Sequence, residues 1–246
     1  MKTSFFFAAA ISIMMGTATV MACNDLTDPI ECNSSSIVIE NREVGSFDRV
    51  KLSSALTVNI VCADVQTLEI KADESLIGDV KTEVNNGVLS VYLEGKHVLW
   101  SKKRKIEVNI TVPSLNSMDV SGACNVDVKG FAAEDFHLIA SGASDIDLNG
   151  ITAKGEMKLE VSGASNVRVS GVADKIVIRA SGASDVSAMK VNANIADVRA
   201  SGASDIDVTA FHEIYASGNG ASDIDYYGNP KTVDLNSSGA SDITGH

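Results

Sequence analysis

Leu138-Ile139-Ala140-Ser141-Gly142-Ala143-Ser144-Asp145-Ile146-Asp147-Leu148 returns three copies later as Val198-Arg199-Ala200-Ser201-Gly202-Ala203-Ser204-Asp205-Ile206-Asp207-Val208. The Ser-Gly-Ala-Ser-Asp core of this stretch, or a close variant, recurs with its glycine at Gly122, Gly142, Gly163, Gly182, Gly202, Gly220 and Gly239. The intervals are 20, 21, 19, 20, 18 and 19 residues, so the chain from about 116 to 246 is a repeat array with a period near 20.

Stacking the copies on that glycine assigns each position a task. Four residues before it stand Met118, Leu138, Leu159, Ile178, Val198 and Leu235, and two before it Val120, Ala140, Val161, Ala180 and Ala200. Four after it stand Val126, Ile146, Val167, Val186, Ile206, Ile224 and Ile243, and nine after it Phe131, Ile151, Val172, Val191 and Phe211. Apolar and polar residues alternate within each copy, as in Lys158-Leu159-Glu160-Val161. Period two with β-branched inward positions specifies strands. A copy has three apolar clusters divided by turn residues, and none contains a 3.6-residue period, so helical solenoids are excluded. The expected fold is all-β, a right-handed parallel β-helix of about 20-residue coils, each coil pairing with its neighbours.

The glycine is expected at a corner needing positive φ. The invariant alanine after it, from Ala123 to Ala240, is expected to fill a tight inward corner. Cys124 occupies a serine column and reads as a small buried filler rather than a catalytic or disulfide residue. In the sixth copy, Ser217-Gly218-Asn219-Gly220 is expected to form a local bulge.

Residues 37–115 lack the copies but keep the strand chemistry, as in Leu56-Thr57-Val58-Asn59-Ile60 and Ile106-Glu107-Val108-Asn109-Ile110. Val84-Asn85-Asn86-Gly87-Val88 reads as a hairpin on an Asn-Gly turn. This half reads either as degenerate coils of the same solenoid or as a separate β domain. With no Pro/Gly/Ser-rich linker between the halves, one domain over 37–246 is the expectation.

The N-terminus is of another kind. Lys2, an apolar run from Phe5 to Met15 and small residues before Cys23 form a leader over 1–22. Val20-Met21-Ala22-Cys23 fits a lipobox, which makes Cys23 a lipid anchor followed by a polar tether over 23–36; it also fits ordinary cleavage, after which Cys23 could pair with Cys32. The expected place is the cell envelope, as an outer-membrane lipoprotein or at the cell surface, with the periplasm as the alternative.

Composition narrows the chemistry. At 45% hydrophobic and 21% charged the chain is globular, and with only 5% aromatics its core is built from Val, Ile, Leu and Ala. The net charge is −12, or −13 once the leader with its single lysine is removed, which disfavours nucleic acid as a partner. Four cysteines form neither a disulfide scaffold nor a zinc pattern. His97, His137, His212 and His246 lie in unrelated contexts, and no nucleophile elbow or phosphate loop is present. The one basic run, Lys102-Lys103-Arg104-Lys105, reads as a solvated loop or, less simply, as a grip for phosphate or polysaccharide.

The stretch Gly45-Ser46-Phe47-Asp48-Arg49-Val50-Lys51-Leu52-Ser53 carries a family resemblance, together with Leu56 to Ile60, Asp73 to Leu76 and Asn86 to Val91. Val112-Pro113-Ser114-Leu115 and Ser121-Gly122-Ala123 complete it. In these motifs the chain resembles the putative auto-transporter adhesin head GIN domain family over about 45–245. The resemblance implies an exported, β-helical cell-envelope protein and brings no catalytic or ligand residues with it.

The acidic columns remain. Three after the glycine stand Asn125, Asp145, Asn166, Asp185, Asp205, Asp223 and Asp242. These side chains are expected to accept from corner N–H groups, as Asn and Asp do in turns. The functional alternative makes Asp145, Asp185, Asp205, Asp223 and Asp242 a cation- or glycan-binding stripe, with Ca²⁺ as the conceivable ion. No cofactor is otherwise implied. The expected function is a non-enzymatic adhesin or scaffold presenting an acidic face to a glycan or protein. The alternatives are a polysaccharide lyase or hydrolase on the same fold and a self-assembling homo-oligomeric envelope module.

Overall fold

The computed structural model describes residues 36–95 and 105–246. The leader over 1–22, Cys23 and its alternative partner Cys32, all of the tether but Ser36, His97 and the basic run as far as Arg104 lie outside the described residues.

Period-two sequence becomes strand throughout. In the irregular half these are β1 (Ile37–Asn41), β2 (Arg49–Leu52), β3 (Thr57–Cys62), β4 (Thr67–Asp73), β5 (Val80–Asn85), β6 (Val88–Leu93) and β7 (Glu107–Val112). The array contributes β8 (Ser117–Val120), β9 (Asn125–Lys129), β10 (Ala132–Ala133), β11 (Phe136–Ala140) and β12 (Asp145–Val161). It continues with β13 (Asn166–Gly182), β14 (Asp185–Gly202), β15 (Asp205–Gly220), β16 (Asp223–Tyr227), β17 (Thr232–Gly239) and β18 (Asp242–Gly245). The described residues contain no helix, and all these strands join one sheet that winds as a parallel β-solenoid of about 6 turns.

Each coil pairs in register with the next, one period away. Val186 pairs with Ile206 and Ile206 with Ile224, and Leu138 pairs with Leu159 and Leu159 with Ile178. Identical inward chemistry therefore stacks in columns at the strand spacing of ~4.8 Å. These columns merge into one core running from Phe47 to Ile224.

All seven repeat glycines have positive φ, between 78° and 90°. The N–H of the following alanine donates to the glycine carbonyl one coil earlier, as Ala183 does to Gly163 at 2.8 Å. That alanine faces solvent at every coil, against the expectation of an inward corner. The inward position belongs to the next residue, Ser144, Ser165, Ser184, Ser204 or Ser222, each at most 1% exposed. Each of these hydroxyls is satisfied by carbonyls near the corner; Ser184 Oγ donates to Ser181 O at 2.9 Å and Ser204 Oγ to Ser201 O at 3.0 Å. Cys124 fills the same column as expected. Its Sγ lies 3.2 Å from Ser54 O, and burial raises its thiol pKa.

Two further expectations are corrected. Val172 and Phe211 are exposed, because coil lengths change at the second corner. Gly171 takes the position facing Ile151 and Val191, so Val172 falls beside Thr152 and Asn192 on the outer surface; Ala210, not Phe211, pairs with Ala193. No bulge forms at Gly218-Asn219, which continue in register as the partners of Ala200 and Ser201. The missing residues of that coil are absorbed earlier, between Ala188 and Ile195.

The N-terminal half does contain coils, but not in chain order. β2 pairs in parallel with both β6 and β8, and β3 with both β7 and β9. The earlier strands are thus inserted between a later pair and the first regular coil. The expected hairpin joins β5 to β6, with Asn86 and Gly87 at φ 51° and 75°. β4 lies antiparallel between β1 and β7, which ends the parallel stack on that side.

Candidate binding face

After each corner the chain presents one strand whose inward residues are the β-branched column and whose outward residues form two rows. The first row runs Asn125, Asp145, Asn166, Asp185, Asp205, Asp223, Asp242, paired in that order. The second runs Asp127, Asp147, Arg168, Ser187, Asp207, Asp225, Thr244. Asp145, Asp185, Asp205, Asp223 and Asp242 therefore do share one line, although Asn166 separates Asp145 from the other four.

The row's own backbone N–H groups donate to carbonyls of the preceding coil, and two of its carboxylates accept from backbone N–H groups as expected, Asp205 from Asp223 and Asp242 Oδ1 from Ile243 N at 2.9 Å. Asp185 N reaches Ser165 O at 3.1 Å and Asp205 N reaches Ser184 O at 3.0 Å.

The two ends of the face differ. In the early coils the carboxylates are compensated: Asn166 Nδ2 donates to Asp145 at 2.7 Å, Arg168 lies 3.4 Å from Asp147, and Lys129 lies 2.6 Å from Asp127. From Asp185 onward, six carboxylates (Asp185, Asp205, Asp207, Asp223, Asp225, Asp242) meet one basic partner among the described residues. His246 contacts Asp225 at 2.8 Å and stacks on Tyr227, with ring centroids 4.9 Å apart. Partial burial, then the neighbouring Asp185 and Asp223, raise the pKa of Asp205; a backbone hydrogen bond involving Asp223 opposes the rise in part. Partial burial, then Asp225 and Asp205, raise that of Asp207.

A raised carboxyl pKa means the folded state binds its proton more tightly than the unfolded state does. Ionisation then costs stability, a loss absent below the ordinary carboxyl value and growing as pH rises past it. Asp205→Asn is therefore expected to raise the melting temperature at pH 7, by a gain that fades as pH is lowered toward about 4. Two charges ~5 Å apart in water repel by about 0.8 kcal/mol, so the gain stays below ~1 kcal/mol at this exposed site. A melting temperature lowered at pH 7 would contradict the repulsion account. Among the described residues no group of three or more His, Cys, Asp or Glu is arranged to hold a metal ion. Millimolar Ca²⁺ is accordingly expected to leave the melting temperature unchanged; a rise lost in Asp205→Asn would mark an ion site.

A cleft of about 540 Å³ at the other end is lined by Asn41 to Val44 and Gln66 to Leu68. Its Arg42 is tied to Val80 O at 2.5 Å, Ile77 O at 3.0 Å and Thr82 Oγ1 at 3.2 Å. Arg42 also meets the Glu40 carboxylate at 3.2 Å, and Glu43 lines the cleft. His137 faces Glu160 with its Nε2 3.7 Å from the carboxylate, beyond hydrogen-bond distance, and His212 is exposed elsewhere.

A family model described as putative auto-transporter adhesin, head GIN domain, matches residues 46–230. Among solved structures, a putative adhesin from Bacteroides fragilis NCTC 9343 superposes with a TM-score of 0.81 at 21% identity, over 87% of this chain and 98% of that one. A putative adhesin from Parabacteroides merdae ATCC 43184 gives 0.66 at 16% identity, over 87% and 97%. A putative lipid binding protein from Parabacteroides distasonis ATCC 8503 gives 0.65 at 16% identity, over 87% and 98%. At these identities the likeness speaks for the fold. A search of the curated proteins finds no relative.

Proposed function

Because the chain belongs to the putative auto-transporter adhesin, head GIN domain family, we propose that it is a non-enzymatic surface adhesin whose acidic rows meet the ligand. The observation that carries this reading is the run of six carboxylates from Asp185 to Asp242 on consecutive coils, facing one histidine among the described residues. Such a stripe holds a negative potential that a cationic protein segment, or a hydroxyl-rich glycan through hydrogen bonds, can meet. The fold supplies rigidity, since each coil is fixed by the next. Acylation of Cys23 would hold the array at the envelope.

The test uses the mature chain and its Asp185→Asn/Asp205→Asn/Asp223→Asn variant against printed glycans and host matrix proteins at low and high salt. Salt-sensitive binding by the parent that falls at least tenfold in the variant is expected. Equal binding by both would remove the acidic rows from the function. In fractionated cells, Cys23→Ala is expected to move the protein from membrane to soluble fraction, and unchanged partitioning would count against the anchor.

A second reading has its own observation. β17 pairs only with β15 among the described residues, and Val233 and Leu235, on its inward positions, are 46% and 40% exposed. An uncovered strand edge with an apolar inner row favours end-to-end pairing of two copies. Light scattering on the mature chain at micromolar concentration decides between dimer and monomer.

A further inference from the structure

We propose that the strand face preceding each corner carries a sugar-binding subsite centred on Tyr215, built for one neutral hexopyranose unit. This subsite lies across the corner from the acidic rows and does not rest on them.

Along this face charged side chains are mostly matched coil by coil. Lys51 lies 3.0 Å from Asp119, Lys158 pairs with Glu160, and Arg179 reaches Asp197 at 2.9 Å. The matching stops at Arg199. Its guanidinium comes only to 3.9 Å from Asp197, whose other oxygen already serves Arg179, and its side chain is 66% exposed.

Register then places six side chains on a grid of three strands. Asp197, Tyr215 and Asp234 form one row, and Arg199, Ser217 and Asn236 the next. These six, over a floor that includes Val198 and Ala216, line a cleft of about 230 Å³. The hole has a local cause: Ser217 is short between two long neighbours. The Tyr215 hydroxyl donates to Glu213 at 2.9 Å, two residues back along the strand, which draws the ring away from Ser217.

The grid measures ~10 Å across three strands and ~7 Å along them, enough for one pyranose ring. An exposed aromatic wall offers the stacking surface for the apolar face of a sugar. Asp234 and Asn236, which have no side-chain hydrogen bond or ion pair within the described residues, supply an acceptor and a planar amide for its hydroxyls. Arg199 supplies donors. Asp197 and Asp234 line the cleft together with the single cation Arg199, which disfavours a uronate and leaves a neutral sugar.

Saturation-transfer NMR with methyl galactopyranoside, methyl glucopyranoside, methyl N-acetylglucosaminide and methyl glucuronide tests the proposal on the mature chain. Transfer to at least one neutral glycoside is expected, lost at least tenfold in Tyr215→Ala and in Ser217→Leu, which fills the hole. The triple Asp→Asn variant of the acidic row should retain it fully, which separates this subsite from that face. Melting temperatures within about 2 °C of the parent would confirm that the surface variants fold. No transfer to any neutral glycoside, transfer to the glucuronide alone, or transfer unaffected by both Tyr215→Ala and Ser217→Leu would overturn the subsite.

Discussion

Ile206→Asp is expected to destabilise the solenoid by about 4 kcal/mol or more. Ile206 is 2% exposed and lies in parallel register between Val186 and Ile224, themselves 2% and 1% exposed. A carboxylate there has no partner in the apolar column, and its neighbours are held by the backbone ladder on either side. Stability of a repeat array is close to a sum of coil and interface terms, so the damage should centre on the coils around Ile206. Urea unfolding should show a lower midpoint and a smaller slope if those coils open alone. Ala203→Ser, three residues away on the exposed side of the corner, is the matched control and should change stability by less than about 0.5 kcal/mol. An Ile206→Asp protein melting with the parent would refute the register.

Gly182→Ala is the second large effect, expected at about 2–4 kcal/mol. Two independent costs add. Gly182 has φ +88°, which an L-residue adopts only with strain, and an added Cβ would lie 2.5 Å from Gly163 O and 3.1 Å from Gly163 N. The obstacle is backbone already bonded in the ladder, since Gly163 O accepts from Ala183 N. Relief therefore requires moving a coil rather than turning a side chain. Gly78→Ala is the control: it has no positive φ and no atom within 4 Å of the new Cβ, so its midpoint should stay within about 0.5 kcal/mol of the parent. Equal stability of Gly182→Ala and the parent would mean the corners are not packed as described.

Both predictions rest on features legible in the amino-acid sequence. The period of about 20, the inward columns of Val, Ile and Leu, the positive-φ corner and the Asn86-Gly87 turn all follow from local rules. Alternation in a strand has period two, and a parallel solenoid repeats its offsets, so aligning the glycines aligns the core. The alanine and serine columns obey the same rule, provided the alternation is carried through the corner. Counted from the glycine, even offsets stay inward across the turn, which places serine inside and alanine outside, as the structure has them. The signal for Ser144 to Ser222 is therefore present in the same alternation that marks the core.

What alternation cannot supply is the choice of neighbour. β2 and β3 satisfy period two equally well beside any strand of similar length. Their insertion between β6–β7 and β8–β9 depends on which long-range pairing buries the most apolar surface, a property of the whole coil stack. The shift that sends Val172 and Phe211 outward likewise depends on where a shortened coil absorbs its missing residues. The two candidate surfaces divide along the same line. The aspartate row is countable in the chain, because its spacing is the coil period itself. That Asn166 and Arg168 compensate the early coils while Asp185 to Asp242 stand nearly uncompensated emerges only when strands ~4.8 Å apart bring distant residues into reach. The Tyr215 cleft leaves no trace in the sequence, for it is a gap over a short serine between residues 18 and 19 positions away, and a gap exists only in three dimensions.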